Sequence, residues 1–321
     1  MKAKSSSSFK SLYPSINDKH IEDLTSALCD FKVKLPKSLE PKIKTIVKEF
    51  LDFKKTTFSD FKPSVLNCLD FHYSNDKLKI IEANTNASGY MLTNLLLGEN
   101  FKESALKYET TLYKSFLKIF KTETPEPLYI IDNSPEEEKM YPEFLMYKDF
   151  FMRQGLKEVE IIKTKDLPLK NSFVYNRDTD FYFDKHPQIK KSIDDGHVFF
   201  STTPTSYNQL ASKANDLEVE SLSSFPNLNE AFLTSKPFNT ELWATRKNYF
   251  FKPKEMFGGK GVYSGKSISR KKFETLDNSY LAQESHPPGK VTFNDEEWKF
   301  DIRAYFSEDK FFKNRRRICL N

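Results

Sequence analysis

Apolar positions change their spacing several times along this chain, and each change predicts a different element. From Ile16 to about Lys55 they recur three and four apart, as in Ile43, Ile46, Val47, Phe50 and Leu51, with Lys and Glu between. That is the stripe of an amphipathic helix, so the pattern predicts a small helical cap. The first ten residues, Met1 to Lys10, are rich in Lys and Ser and read as a disordered lead-in. Val65–Tyr73 and Leu78–Asn84 are apolar-rich runs around the polar stretch Ser74-Asn75-Asp76-Lys77, which predicts a β-hairpin. After Gly89, Tyr90 to Leu97 opens a helical region that continues through Ser104–Phe120.

Beyond Pro125 short apolar runs at Leu128–Asp132, Val159–Lys163, Phe173–Asn176 and Val198–Phe200 predict buried strands. Tyr141–Gln154, stopped by Gly155, predicts a helix between the first two. Strands alternating with a helix suggest an open sheet of the Rossmann type, but no GxGxxG loop follows the first strand, so no dinucleotide is assigned. A helix is predicted at Ser206–Leu222, and strands at Tyr249–Lys252, Tyr280–Gln283 and Trp298–Phe306. In the last strand Trp298, Phe300, Ile302, Ala304 and Phe306 share one face, and Lys299, Asp301 and Arg303 share the other. Asp301 and Arg303 either line a site or form a surface ion pair. The fold class is mixed α/β (α+β). The expected division is a cap over 1–58, the hairpin and its helices over 59–125, the Rossmann-like unit over 126–205, and a last unit over 206–321.

Composition narrows the function classes. Fifty Lys and Arg against forty-five Asp and Glu leave a net charge of +5, spread along the chain. Only Arg315-Arg316-Arg317 is a compact cationic run, read as a charged tail. This distribution argues against a nucleic-acid module. Cys29, Cys68 and Cys319 lie far apart, which excludes a zinc ribbon or disulfide framework and suits reduced cytoplasmic thiols. No apolar run is long enough for a membrane span, and the first residues lack a signal peptide's apolar stretch.

Two constellations carry chemistry. Glu82 and Asn84 alternate along one predicted strand and share a face, and the turn folds Asp70 back beside them. Two carboxylates and an amide oxygen are hard ligands of the kind Mg2+ takes, with water and phosphate oxygens completing its shell. The second is Phe250-Phe251-Lys252-Pro253 followed by Phe257-Gly258-Gly259-Lys260-Gly261-Val262. A strand ending in Lys and leading into glycines presents an ammonium and free backbone N–H groups to a polyphosphate. Gly265-Lys266-Ser267 ends like a Walker loop, but Lys260 stands where that motif requires glycine. His72 and His286 have no evident partner and read as structural.

The string Leu69-Asp70-Phe71, then Leu78-Lys79-Ile80-Ile81-Glu82-Ala83-Asn84-Thr85-Asn86, resembles the metal-binding hairpin of ATP-grasp enzymes. The Lys252-Pro253 strand and glycine run resemble their phosphate-gripping strand and lid. In many of those enzymes an Arg stands two positions before the Asp; here it is Cys68. The hairpin precedes the lysine strand, an order that resembles the circularly permuted ATP-grasp domain of glutathionylspermidine synthase-type proteins. The resemblance covers roughly Ser64 to Phe306, and the chain ends sooner after Phe306 than it implies.

The resemblance implies ATP and Mg2+ as cofactors, with Asp70, Glu82 and Asn84 on the metal. Lys213, Lys252, Gly258, Gly259, Lys260, Gly261, Gln283 and Glu284 would hold the nucleotide, Gln283 and Glu284 from the hinge segment. Lys213 follows Ser212 where the family commonly has Asp, and Lys236 is its rival. Arg303 and Lys252 would be catalytic. The activity implied is a carboxylate–amine or carboxylate–thiol ligase working through an acyl phosphate on small-molecule or peptide substrates. Asn176 and Arg177, at the end of a predicted strand, are candidate acceptor-substrate residues. A nucleotide-binding protein without ligase activity stays open as an alternative, and a basic nucleic-acid-binding module as a second.

Overall fold

A computed structural model describes residues 6–26, 33–92, 101–217, 219–255, 261–307 and 311–319. From Ser6 onward the N-terminus is helical, in α1 (Ser6–Leu12), α2 (Asp18–Ser26) and α3 (Leu39–Thr57). The expected disordered lead-in is thus corrected for its second half. Phe9, Leu12 and Tyr13 are buried, and burial of about 1.5–3 kcal/mol per large side chain outweighs the weak helix preference of Ser. In α3 the stripe Leu39, Ile43, Ile46, Val47, Phe50 and Leu51 is buried, as the periodicity requires.

The hairpin pairs β1 (Asn67–Ser74) with β2 (Lys77–Thr85). Asn75 and Asp76 have φ of 50° and 57°, the left-handed pair of a two-residue type I′ turn. Helix α4 (Phe101–Phe120) follows. The start of the helical region expected from Tyr90 falls partly on 93–100, outside the described residues.

The α/β unit consists of β3 (Leu128–Asp132), α5 (Tyr141–Arg153), β4 (Val159–Lys163), β5 (Ser172–Asn176), α6 (Pro187–Asp194) and β6 (Val198–Ser201). Its four strands form a parallel sheet in the order β4-β3-β5-β6. The predicted helix over Ser206–Leu222 is shorter: α7 (Pro204–Ala211) gives way to 3-10 turns at Lys213–Leu217 and Val219–Ser224. Its start is fixed locally by Pro204 at the first position and by Thr203, whose hydroxyl accepts from Ser206 N at 3.1 Å.

After α8 (Pro226–Ala231) come β7 (Ser235–Pro237), β8 (Tyr249–Pro253), β9 (Tyr263–Ser264), α9 (Arg270–Phe273) and β10 (Tyr280–Glu284). Their strands form an antiparallel sheet, β7-β10-β8-β9. The chain then returns to the hairpin. β11 (Gly289–Phe293), β12 (Glu296–Phe306) and β13 (Phe311–Cys319) join the first sheet, with β12 beside β1. The stretch 206–321 therefore contributes to two sheets. Arg315, Arg316 and Arg317 lie on β13, paired with β12, which corrects the reading of a frayed tail.

Helix α3 packs on one face of the first sheet, where Phe50 and Leu51 meet Leu69, Phe71, Ile302 and Phe306. The opposite face of that sheet carries the polar residues described next. Among the described residues no helix is long and apolar enough to cross a membrane.

Candidate functional site

Register places Asp70 opposite Glu82 on one side and opposite Arg303 on the other. Residues two apart on a strand share a face, so Cys68, Asp70, Glu82, Asn84, Arg303 and Tyr305 project together. Arg303 grips Asp70 in a fork, Nε to Oδ1 at 2.7 Å and Nη2 to Oδ2 at 2.6 Å, and its Nη1 donates to Ser88 O at 3.0 Å. The Asn84 amide donates to Asp70 Oδ2 at 3.3 Å and to Glu82 Oε1 at 3.2 Å. Cys68 is buried in the same row, and burial pushes its thiol far up. It therefore stays neutral and supplies no charge.

Arg303 does not pair with Asp301, and both histidines read as partnerless have partners. His72 Nδ1 donates to the His286 carbonyl at 2.6 Å, and its Nε2 faces Asp301 Oδ1 at 3.2 Å. Ser74 Oγ donates to Pro287 O at 3.0 Å. These contacts bind the segment joining β10 to β11 onto β1. A histidine two residues past Asp70 on β1 was the visible trace of this; its partners come from β12 and the distant loop.

The third sheet brings in the lysines. Lys252, 6 % exposed, donates from Nζ to Ile81 O at 3.0 Å, joining residues 171 positions apart. Burial by itself would raise the Glu82 carboxyl, yet Lys213, Lys252, the Asn84 amide and Arg303 together hold it below the usual carboxylate range. Two carboxylates and three cations thus meet here, a surplus of one positive charge that suits a polyphosphate. Lys236 is turned away: it lies opposite Ala282, on the face away from Lys252, and its Nζ is 3.2 Å from Tyr249 Oη. Of the two rival lysines, Lys213 is the one at Glu82.

Gln283 follows Leu281 by two residues, and Leu281 is opposite Lys252, so Gln283 and Lys252 share a face of their sheet. Glu284 is exposed. Gln283, Lys213 and Glu82 line a recess along the outer edge of β2, together with Phe50 and Lys54 of α3. Ser235 Oγ, opposite Gln283, is buried without a hydrogen-bond partner among the described residues. An orphaned buried hydroxyl on the strand beside Gln283 fits a polar ligand.

Gly258, Gly259 and Lys260 lie outside the described residues; Gly261 has φ 72°. Gly265, of the rejected Walker-like ending, packs against backbone: a Cβ there would stand 1.8 Å from Arg246 O. Its glycine serves packing.

Asn176 and Arg177 brace a loop. Arg177 donates to Asn86 O and to Ser88 Oγ at 2.6 Å, Asn176 O accepts from the Asn86 amide, and Asn176 Oδ1 accepts from Asp178 N at 3.0 Å. Buried Glu143 accepts from Gly89 N at 2.9 Å and Met91 N at 3.0 Å. The segment after Asn84 is thus held by the α/β unit and by Arg303. Among the described residues no group of three or more His, Cys, Asp or Glu is placed to hold a metal. The set on β1 and β2 has two carboxylates and an amide, so a hard cation there would take its remaining oxygens from water and phosphate.

No protein-family model and no curated protein matches the chain. Solved structures share its fold. A glutathione synthetase-like effector (GSS30) from Globodera pallida, in apo form, is 12 % identical with a TM-score of 0.51, over 95 % of this chain and 93 % of that one. A protein from Methylobacillus flagellatus KT assigned as a gamma-glutamylcysteine synthetase is 9 % identical with a TM-score of 0.53, over 88 % and 81 %. At this identity the likeness shows the fold alone, a mixed α/β architecture that the chain shares with these two proteins.

Proposed function

We propose that this protein is an ATP- and Mg2+-dependent ligase that activates a carboxylate as its acyl phosphate for attack by an amine or thiol. The observation that carries the reading is the Glu82 carboxylate, held ionised between Lys213 and Lys252 from beyond the first sheet and Arg303 within it. The synthetase-like fold supports it, as does the order of the motifs, hairpin first, which we read as a circular permutation.

Glu82, Asn84 and Asp70 would hold Mg2+, which would supply positive charge to offset that of the phosphates. Lys213 and Lys252 would bind the phosphates beside Glu82, and the glycine run that ends at Gly261 would add backbone N–H groups. Arg303, fixed by the Asp70 fork, would stabilise charge that develops during transfer, and preorganised charge of this kind supplies most of the catalysis in phosphoryl transfer. Asn176 and Arg177 contribute by holding the 86–89 segment under Arg303.

Calorimetry with Mg-ATP on the wild type, Glu82→Gln and Lys252→Ala tests the site. Both variants are expected to bind at least tenfold more weakly, about 1.4 kcal/mol. Unchanged binding in both would remove the assignment. Release of ADP and phosphate only when an acid and an amine are both present tests the ligase step.

A further inference from the structure

Helix α7 packs against β2. Its buried residues include Tyr207, Leu210 and Ala211, spaced three and four apart so that they share one helix face. Leu210 and Ala211 line a recess with Ile81, Glu82, Ala83 and Lys213. Tyr207, one turn earlier on that face, is 4 % exposed.

Two aromatic contacts hold the Tyr207 ring. Phe181 stacks on it at 4.0 Å and 12°, and Tyr182 meets it edge to face at 5.4 Å. Neither contact needs a hydroxyl, so packing accounts for a phenylalanine here and not for a tyrosine. Among the described residues no group hydrogen-bonds the Tyr207 hydroxyl. A largely buried hydroxyl without a partner costs free energy. Two carboxylates act on it from a distance: Glu82, in the first sheet, and Glu255, two residues past β8 and just ahead of the glycine run. Burial first, and then these two charges, push the phenol far up. It therefore keeps its proton and can donate it in a hydrogen bond. An unused donor near both Glu82 and the root of the glycine run suits an anionic oxygen brought there by a ligand.

We infer that the Tyr207 hydroxyl donates to a phosphate oxygen of the bound nucleotide, a binding residue that neither sequence motif contains. The inference rests on the reading proposed above. Lys213 and Lys252 supply charge to the phosphates, and Tyr207 adds a neutral donor whose direction is set by the Phe181 stack.

The test is calorimetry on the full chain with Mg-ATP and with magnesium tripolyphosphate, which has the phosphates and no nucleoside. Tyr207→Phe keeps the ring and both aromatic contacts and removes the hydroxyl alone. The expected result is about tenfold weaker binding of both ligands. The thermal midpoint of the nucleotide-free variant is expected not to fall, since no hydrogen bond within the fold is lost. Mg-ATP binding within twofold of wild type overturns the inference and leaves the nucleotide reading standing. Weaker Mg-ATP binding with tripolyphosphate unaffected also overturns it, because the hydroxyl then meets the nucleoside. A lowered midpoint alongside weaker binding overturns it as well, because Tyr207 then acts through the fold. A wild type that does not bind Mg-ATP overturns both.

Discussion

The fork between Arg303 and Asp70 joins β12 to β1 across 233 positions of sequence, and a double-mutant cycle measures what it contributes. The side chains are 14 % and 11 % exposed, so water screens them little. Two unit charges about 4 Å apart interact by roughly 4 kcal/mol at an effective dielectric constant near 20. Breaking such a buried pair costs about 3–5 kcal/mol, because the charge left behind is uncompensated. Arg303→Met leaves Asp70 with the Asn84 amide and next to ionised Glu82, so about 3–5 kcal/mol is expected. Asp70→Asn costs less, about 2–3 kcal/mol, because Glu82 and the Ser88 carbonyl still face the guanidinium. The double variant is expected to lose about 2–3 kcal/mol less than the sum of the two. Urea unfolding provides the assay, with a shift of midpoint at constant m for the transition that includes the first sheet. A coupling below about 0.5 kcal/mol, typical of exposed pairs, would mean that the fork is open in solution. Arg303 would then not be preorganised, and its proposed catalytic placement would fail.

Two further predictions concern groups away from the site. Burial pushes the Asp132 carboxyl up to about 6, from an ordinary 3.8. The folded chain therefore keeps a proton that the unfolded chain releases between those values, and ionised Asp132 destabilises the fold above about pH 6. Asp132→Asn keeps an oxygen to accept from Ser134 N; it is expected to raise the thermal midpoint near pH 7.5 and leave it unchanged near pH 4, and an equal change at both would refute the cause. Glu109, 0 % exposed, accepts from Tyr13 at 2.5 Å and twice from Arg153 at 2.8 Å. Arg153→Met is expected to lose about 3–5 kcal/mol in urea unfolding and Arg153→Met/Glu109→Gln distinctly less, whereas equal losses would show that the charge pairing is immaterial.

The period of the apolar residues carried most of the architecture. Leu128–Asp132 and Val159–Lys163 were legible to the residue because buried parallel strands are short, continuous apolar runs between breakers. What the period did not carry was anything decided at long range. Serines around Phe9 have no helical preference; α1 exists because Phe9 and Tyr13 pack against distant helices. The arginine run on β13 is a strand because β12 offers it an edge. Ser206–Leu222 has helical spacing throughout, yet α7 ends at Ala211 and places Lys213 at Glu82.

Within the candidate site, shared faces were legible and pairings were not. Alternation put Glu82 with Asn84 on one face and set Arg303 on the polar face of its strand. That β12 lies beside β1, giving Arg303 to Asp70 and Asp301 to His72, depends on contacts more than 200 positions apart. Tyr207 reads as core from the helical period alone, and its hydroxyl has meaning only once Glu82 and Glu255 are seen to act on it.

The same strands that carry the polar groups also carry what brings them together. Closing a contact over 233 positions rather than the 14 between Asp70 and Asn84 costs about 2.5 kcal/mol more in chain entropy, from the logarithmic growth of loop closure. The front-face ion pair, with its own desolvation to offset, is a poor source of that energy. Phe300, Ile302 and Phe306 are 5 %, 1 % and 0 % exposed against α3 and the back of the hairpin, and each contributes about 1.5–3 kcal/mol. Burial on the back face is therefore what holds Arg303 over Asp70 on the front.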